Sequence, residues 1–185
     1  MTIRRITAII VALLVGFSTL ASAQEKPHNY EVGAGVNVYG ILGTVGGPGR
    51  SLGPGVHFEY RYDLSDRLDV GARAYYKYGD GHSADTGEPS WYIVWNQIGL
   101  KAVADYNFRP GKLLRPYIGV GAGAGVLFDK TYMGTDSSTY GTVGPRLGLQ
   151  LWRFRAALEF DFAYDFDYGF LSTETATSLT LSYTF

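Results

Sequence analysis

Apolar and polar residues alternate at almost every step in eight separate runs between Tyr30 and Phe185. Successive side chains of a strand point to opposite faces, so each run predicts a β-strand with one apolar and one polar side. In the first, Tyr30, Val32, Ala34, Val36 and Val38 oppose Glu31, Gly33, Gly35, Asn37 and Tyr39. The second sets Val56, Phe58, Tyr60 and Tyr62 against His57, Glu59 and Arg61. The third sets Leu68, Val70, Ala72, Ala74 and Tyr76 against Asp69, Gly71, Arg73, Tyr75 and Lys77. Ile98, Leu100, Ala102, Ala104, Tyr106 and Phe108 oppose Gln97, Gly99, Lys101, Asp105 and Asn107 in the fourth. The fifth has Ile118, Val120, Ala122, Ala124 and Val126 opposite Tyr117, Gly119, Gly121, Gly123 and Gly125. In the sixth, Val143, Leu147, Leu149 and Leu151 oppose Arg146, Gly148 and Gln150. The seventh pairs Ala156, Leu158, Phe160, Phe162 and Tyr164 with Arg155, Glu159, Asp161 and Asp165. The last carries Leu179, Leu181, Tyr183 and Phe185 opposite Thr180, Ser182 and Thr184.

The connectors alternate in length. Leu64 to Arg67, Arg109 to Lys112 and Trp152-Arg153 are short, whereas the segments near 41–53, 79–91, 128–141 and 167–175 are longer and rich in Gly, Ser, Asp and Thr. Short turns at one end and long loops at the other predict an antiparallel up-and-down barrel that crosses a membrane. An even strand count returns both termini to the short-turn end.

The alternation alone does not say which face lies inside. An eight-stranded barrel has an interior just wide enough for side chains. The apolar faces, with their many Leu, Phe and Tyr, would overfill it, whereas the other face is thinned by glycine. That face also carries the charge: Glu31, Glu59, Asp69, Asp105, Glu159, Asp161 and Asp165 against Arg61, Arg73, Lys77, Lys101, Arg146 and Arg155. A Lys or Arg turned to lipid at mid-depth costs roughly 2–4 kcal/mol. Ionised groups inside survive when paired. The expectation is therefore a lumen crossed by ion pairs, with the apolar face toward acyl chains. Aromatic residues cluster at both strand ends, as two interfacial belts require.

Composition and the amino-terminus place the barrel. Arg4 and Arg5, a mainly apolar stretch from Ile6 to Leu20, and Ala21-Ser22-Ala23 have the three zones of a secretory signal. The apolar stretch is shorter than the roughly 20 residues that span a bilayer. Residues 1–23 are thus expected to be a cleaved signal peptide, with one barrel domain over 24–185. Removing Arg4 and Arg5 from 16 basic residues leaves 14 against 17 acidic ones, a net charge near −3 that argues against nucleic acid as partner. Cysteine is absent, so no disulfide is expected.

Arg115-Pro116-Tyr117-Ile118-Gly119-Val120-Gly121-Ala122-Gly123 resembles the Pro-Tyr-x-Gly-x-Gly-x-Gly strand of small eight-stranded outer-membrane β-barrels of the OmpA/OmpX type, the outer membrane protein beta-barrel domain family. Leu179, Leu181, Tyr183 and Phe185 resemble that family's carboxy-terminal assembly signal. The resemblance implies an all-β, eight-stranded transmembrane barrel in the outer membrane of a Gram-negative-type cell. It also implies insertion by the barrel assembly machinery. The peptidoglycan-binding domain of longer OmpA proteins is not expected here.

Candidate chemistry is sparse. Gly119-x-Gly121-x-x-Ala124 is near a nucleotide-binding fingerprint, but that motif needs a turn into a helix, and here the glycines alternate within a strand. They are expected to leave room for Tyr75, Arg73 or Arg146. His57 faces the lumen beside Glu59, while His82 sits among Asp80, Ser83, Asp85 and Glu88 in no standard ligand spacing. The lipid A deacylases place a His and a Ser two residues apart on a late strand, and no histidine follows His82. Glu159 and Asp161 could imitate a hydrolase dyad, but Arg155 and Arg146 on the same face read them as part of an ion-pair lattice. The expectation is a non-enzymatic monomeric barrel without cofactor or metal, bathed in outer-membrane lipid. It would serve membrane integrity or meet an unknown surface ligand through four longer loops. A narrow porin-like channel is the alternative, and a lipid hydrolase is a third.

Overall fold

The computed structural model describes residues 28–39, 51–82, 92–131, 134–167 and 170–185. The expected signal peptide lies outside the described residues, as do Ser83, Asp85 and Glu88. Eight strands follow one another: β1 His28–Tyr39, β2 Ser51–Asp63, β3 Leu68–His82, β4 Tyr92–Asn107, β5 Leu114–Thr131, β6 Gly134–Leu151, β7 Phe154–Asp165 and β8 Phe170–Thr184. Each pairs antiparallel with the next, and β1 pairs with β8 to close the barrel. Closure leaves no free sheet edge within the wall, the condition for strands to cross a bilayer. The backbone N–H of Phe185 donates to Tyr30 O at 2.8 Å, so both termini meet at the short-turn end.

The predicted facing holds on every strand. Leu100 and Leu181 are 69% and 59% exposed, whereas Glu59 and Arg146 are 0% and 1% exposed. Apolar side chains thus cover the outside and charged ones fill the centre, the reverse of a water-soluble barrel. Tyr30, Tyr62, Tyr106, Phe108 and Phe154 are exposed at the short-turn end. Tyr76, Phe128, Tyr164 and Phe166 are exposed at the other. Between these belts lie alanines in register, Ala72 opposite Ala102 and Ala102 opposite Ala122.

Two expected loops are corrected. Strands β5 and β6 are 18 residues each and stay paired to Thr131 and Gly134, so the segment near 128–141 is a long hairpin. Strand β8 begins at Phe170, opposite Asp165, so the segment near 167–175 contains a short turn and a register shift between Asp161 and Ala163 on its partner β7. Both segments are rich in Gly, Ser, Asp and Thr, which reads as loop in a sequence. Beyond the outer belt no lipid demands an apolar face, so polar strands there remain compatible with pairing. Of the four longer loops expected, residues 40–50 and 83–91 lie outside the described residues; they join strand ends that pair directly, Tyr39 with Ser51 and His82 with Tyr92.

Candidate functional site

The charged residues predicted to face inward meet in one lattice across the lumen. At the short-turn end Arg61 from β2 ion-pairs with Asp69 on β3 and reaches Asp105 Oδ2 on β4 at 2.7 Å. Arg155 from β7 donates to the same oxygen at 2.5 Å, and its guanidinium lies 3.8 Å from the centroid of the Tyr117 ring. Asn107 donates to Asp69 at 2.8 Å.

One layer further in, Glu59 takes Arg61 on one oxygen and Arg73 on the other, the latter at 2.5 Å. Arg73 also reaches Glu159 on β7 at 2.5 Å. Arg146 sits among three carboxylates, 3.3 Å from Asp105 and 3.6 Å from both Glu59 and Glu159. Toward the other end Asp161 accepts from Lys101 at 2.6 Å and Lys77 at 3.1 Å. Lys77 continues to Ser178, which donates to Asn37 at 2.7 Å. The hydroxyls of Tyr75 and Tyr140 then meet at 2.9 Å.

Twelve of the thirteen predicted network residues are buried, six acids and six bases. Asp165 stands apart, half-buried toward the long-loop end. Paired charges in a low-dielectric lumen hold one another. Removing one partner from such a pair typically costs about 3–5 kcal/mol, because the other is left buried and alone.

Sequence reasoning missed the neutral members. Tyr75, Tyr117, Ser178 and Ser182 bond to the charged groups or stack on them, and Asn37 and Tyr140 bond to Ser178 and Tyr75 in turn. Their inward parity was the available signal, since every second residue of a strand faces the lumen. The glycines of β5 leave room for other side chains. A Cβ at Gly119 would collide with Asp105, one at Gly121 with Lys101, and one at Gly125 with Tyr140. These side chains lie nearest the space the glycines leave. Tyr75 lies over Gly99, where an added Cβ would stand 2.6 Å from its hydroxyl.

One cluster has the composition of a metal site. Ligand atoms of Glu31, His57 and Glu59 lie within 4.8 Å of one another. They do not fit a cation. Both oxygens of Glu59 are taken by guanidinium groups, and Glu31 Oε1 accepts from Ser182 at 2.5 Å. His57 is 3.4 Å from that same oxygen of Glu31. His57 thus faces the lumen beside Glu59, as expected, and contacts Glu31.

Two lumenal spaces measure about 30 Å³ and 20 Å³, room for one or two waters each. A concavity of about 810 Å³ is lined by Val32, Phe58, Ala74, Tyr76, Leu100 and Leu181 on the apolar exterior. It is a place for acyl chains, not for a polar substrate.

The sequence of residues 9–185 matches the family model described as the outer membrane protein beta-barrel domain. The chain belongs to that family. Its place is therefore the outer membrane of a Gram-negative-type cell, with short turns toward the periplasm and long connectors outside. Among solved structures, Ail, the attachment invasion locus protein of Yersinia pestis, is 14% identical, with a TM-score of 0.50 over 86% of this chain and 99% of that one. Neisserial surface protein A is 15% identical, with a TM-score of 0.52 over 85% and 94%. The outer membrane enzyme PagL is 15% identical, with a TM-score of 0.45 over 83% and 97%. At these identities the likeness to Ail and to Neisserial surface protein A speaks for the fold alone. Among curated proteins none matches the sequence.

Proposed function

We propose that this family member is a non-enzymatic, plugged barrel that acts as a monomer. It would contribute to envelope integrity and present a surface at its outer end. The observation that carries this is the lattice from Asp69 through Arg146 to Asp161, which joins opposite walls of the lumen. The lumenal spaces of about 30 Å³ and 20 Å³ are far smaller than a hydrated solute needs.

The same lattice speaks against hydrolysis. A serine nucleophile needs a base that takes its proton. Ser182 donates instead to Glu31, and His57 contacts Glu31 from elsewhere, so the carboxylate stands between the hydroxyl and the imidazole. Glu159 and Asp161 are occupied by Arg73, Lys77 and Lys101.

At the outer end the presented surface would include the β5–β6 hairpin. Leu179, Leu181, Tyr183 and Phe185 would be the residues read by the barrel assembly machinery. Planar-bilayer recording tests the plugged reading. The protein should give no steady single-channel steps, and regular steps would favour the porin-like alternative.

A further inference from the structure

The periplasmic rim is unevenly charged. The β2–β3 turn carries Asp63 and Asp66 beside Arg67. Residues 108–115 and 150–154 carry Arg109, Lys112, Arg115 and Arg153 and no acid at all. These two segments are neighbours. Leu114 pairs with Leu151, and the Trp152 N–H donates to Leu113 O at 3.0 Å. Among the described residues no carboxylate forms an ion pair with Arg109, Lys112 or Arg115. The buried Nε of Arg115 has no hydrogen-bond partner.

The apolar part of this rim is just as pronounced. Leu113 is 68% exposed and Trp152 57%. Trp152 is held at φ 54°, a left-handed conformation that bulky side chains rarely adopt. The turn keeps its indole outward in spite of that strain. The Arg153 guanidinium lies 5.4 Å from the indole and donates to the Tyr183 hydroxyl at 3.2 Å. The patch continues into the lipid-facing belt through Phe108 and Phe154.

We infer that the β4–β5 and β6–β7 turns together form a binding site for an anionic glycerophospholipid of the inner leaflet. Arg109 and Lys112 would hold the phosphodiester, and Trp152 and Leu113 would lie at the headgroup–acyl boundary. Charge complementarity selects the ligand. A zwitterionic lipid brings an ammonium or choline group to two turns that offer no acidic side chain to receive it. A soluble polyanion or a cell-wall carboxylate would match the charge but leave Leu113 and Trp152 uncovered in water. Indole and long basic side chains favour the membrane boundary, where one end is apolar and the other wet.

The chain has three tryptophans, so Trp91→Phe/Trp95→Phe leaves Trp152 as sole emitter. This variant is placed in nanodiscs containing equal small fractions of brominated phosphatidylglycerol or brominated phosphatidylcholine. Quenching should be stronger with phosphatidylglycerol. Arg109→Gln/Lys112→Gln should reduce that preference by at least about tenfold, from roughly fivefold per basic side chain. Excess soluble glycerol phosphate should not displace the lipid.

Native mass spectrometry of the protein with all its tryptophans should show the same lipid retained. Equal quenching by both lipids would overturn the inference, as would a preference that survives Arg109→Gln/Lys112→Gln. Displacement by glycerol phosphate would make this a free-phosphate site and overturn the lipid assignment. Binding to isolated peptidoglycan that depends on Arg109 and Lys112, without any lipid preference, would assign the rim to the cell wall instead.

Discussion

Arg73 and Glu159 are 86 residues apart in the chain, yet Arg73 Nη1 donates to Glu159 Oε1 at 2.5 Å across the lumen. Strands β3 and β7 are not neighbours in the wall. The contact therefore ties two sides of the barrel together without any backbone pairing.

Replacing Glu159 by Gln should destabilise the barrel by about 3–5 kcal/mol, since Arg73, Lys101 and Arg146 all lose a carboxylate. Urea unfolding from lipid vesicles measures this. Arg73→Met/Glu159→Met removes one charge of each sign and keeps the lattice balanced. It should cost less than either single change, and a double variant at least as unstable as the sum of the singles would contradict the electroneutral account.

Depth in the membrane should grade the cost of a charge on the outer face. Leu147→Arg lies well inside the belts and should cost roughly 2–4 kcal/mol, while Leu151→Arg at the periplasmic rim should cost about 0–1 kcal/mol. Both leucines are about equally exposed, 46% and 50%, so a protein standing in water would treat them alike. Folding yield and unfolding midpoint in vesicles are the readouts.

How far the sequence disclosed these relationships can be traced residue by residue. Period-two parity placed Glu59, Arg61 and Arg73 inside, because a lipid-facing charge is costly and a strand has only two faces. Parity could not name the partners. Arg61 meets Asp105 on β4, two strands away, and Arg73 meets Glu159 because the lumen is narrow enough for long side chains to cross. The pairing of His57 with Glu31 follows from the β1–β2 register, in which Gly33 lies opposite His57 and leaves room for its ring. Asp129 to Tyr140 was misread as a loop because its alternation ends where the bilayer ends.

Asp129 lies beyond Phe128 and the outer belt, opposite Asp136 in the β5–β6 register. Burial first, and then the charges of Asp136 and Asp165, push its carboxyl up to about 6. A folded-state value above the ordinary one favours the protonated, folded form. That stabilisation is full below the ordinary carboxylate value and is lost as pH rises through about 6. Hydrogen exchange of the β5–β6 hairpin, corrected for the intrinsic base-catalysed rate, should therefore quicken between about pH 3 and pH 7, an interval bracketing both values. Asp129→Asn should flatten the dependence.

Phe185 separates recognition from stability. Its ring packs edge-on against Tyr183 with centroids 5.0 Å apart. Phe185→Ala should leave spontaneous refolding in vesicles within about 1 kcal/mol of the parent, as truncation of a half-buried ring at a terminus implies. It should lower the amount inserted in cells several-fold if the assembly machinery reads this residue. Equal losses in both settings would make the residue structural only.

The hairpin of β5 and β6 outruns its neighbours. Strand β7 pairs with β6 only as far as Tyr140, so among the described residues Thr135 to Ser138 have no partner strand on that side. Such a stretch could template the same stretch of a second molecule and grow into chains of barrels. Asp136 sits in the middle of it, and its charge would be stacked against its own copy in any such ladder. A polar mast of this kind can stand in a crowded cell surface without zipping to its twin.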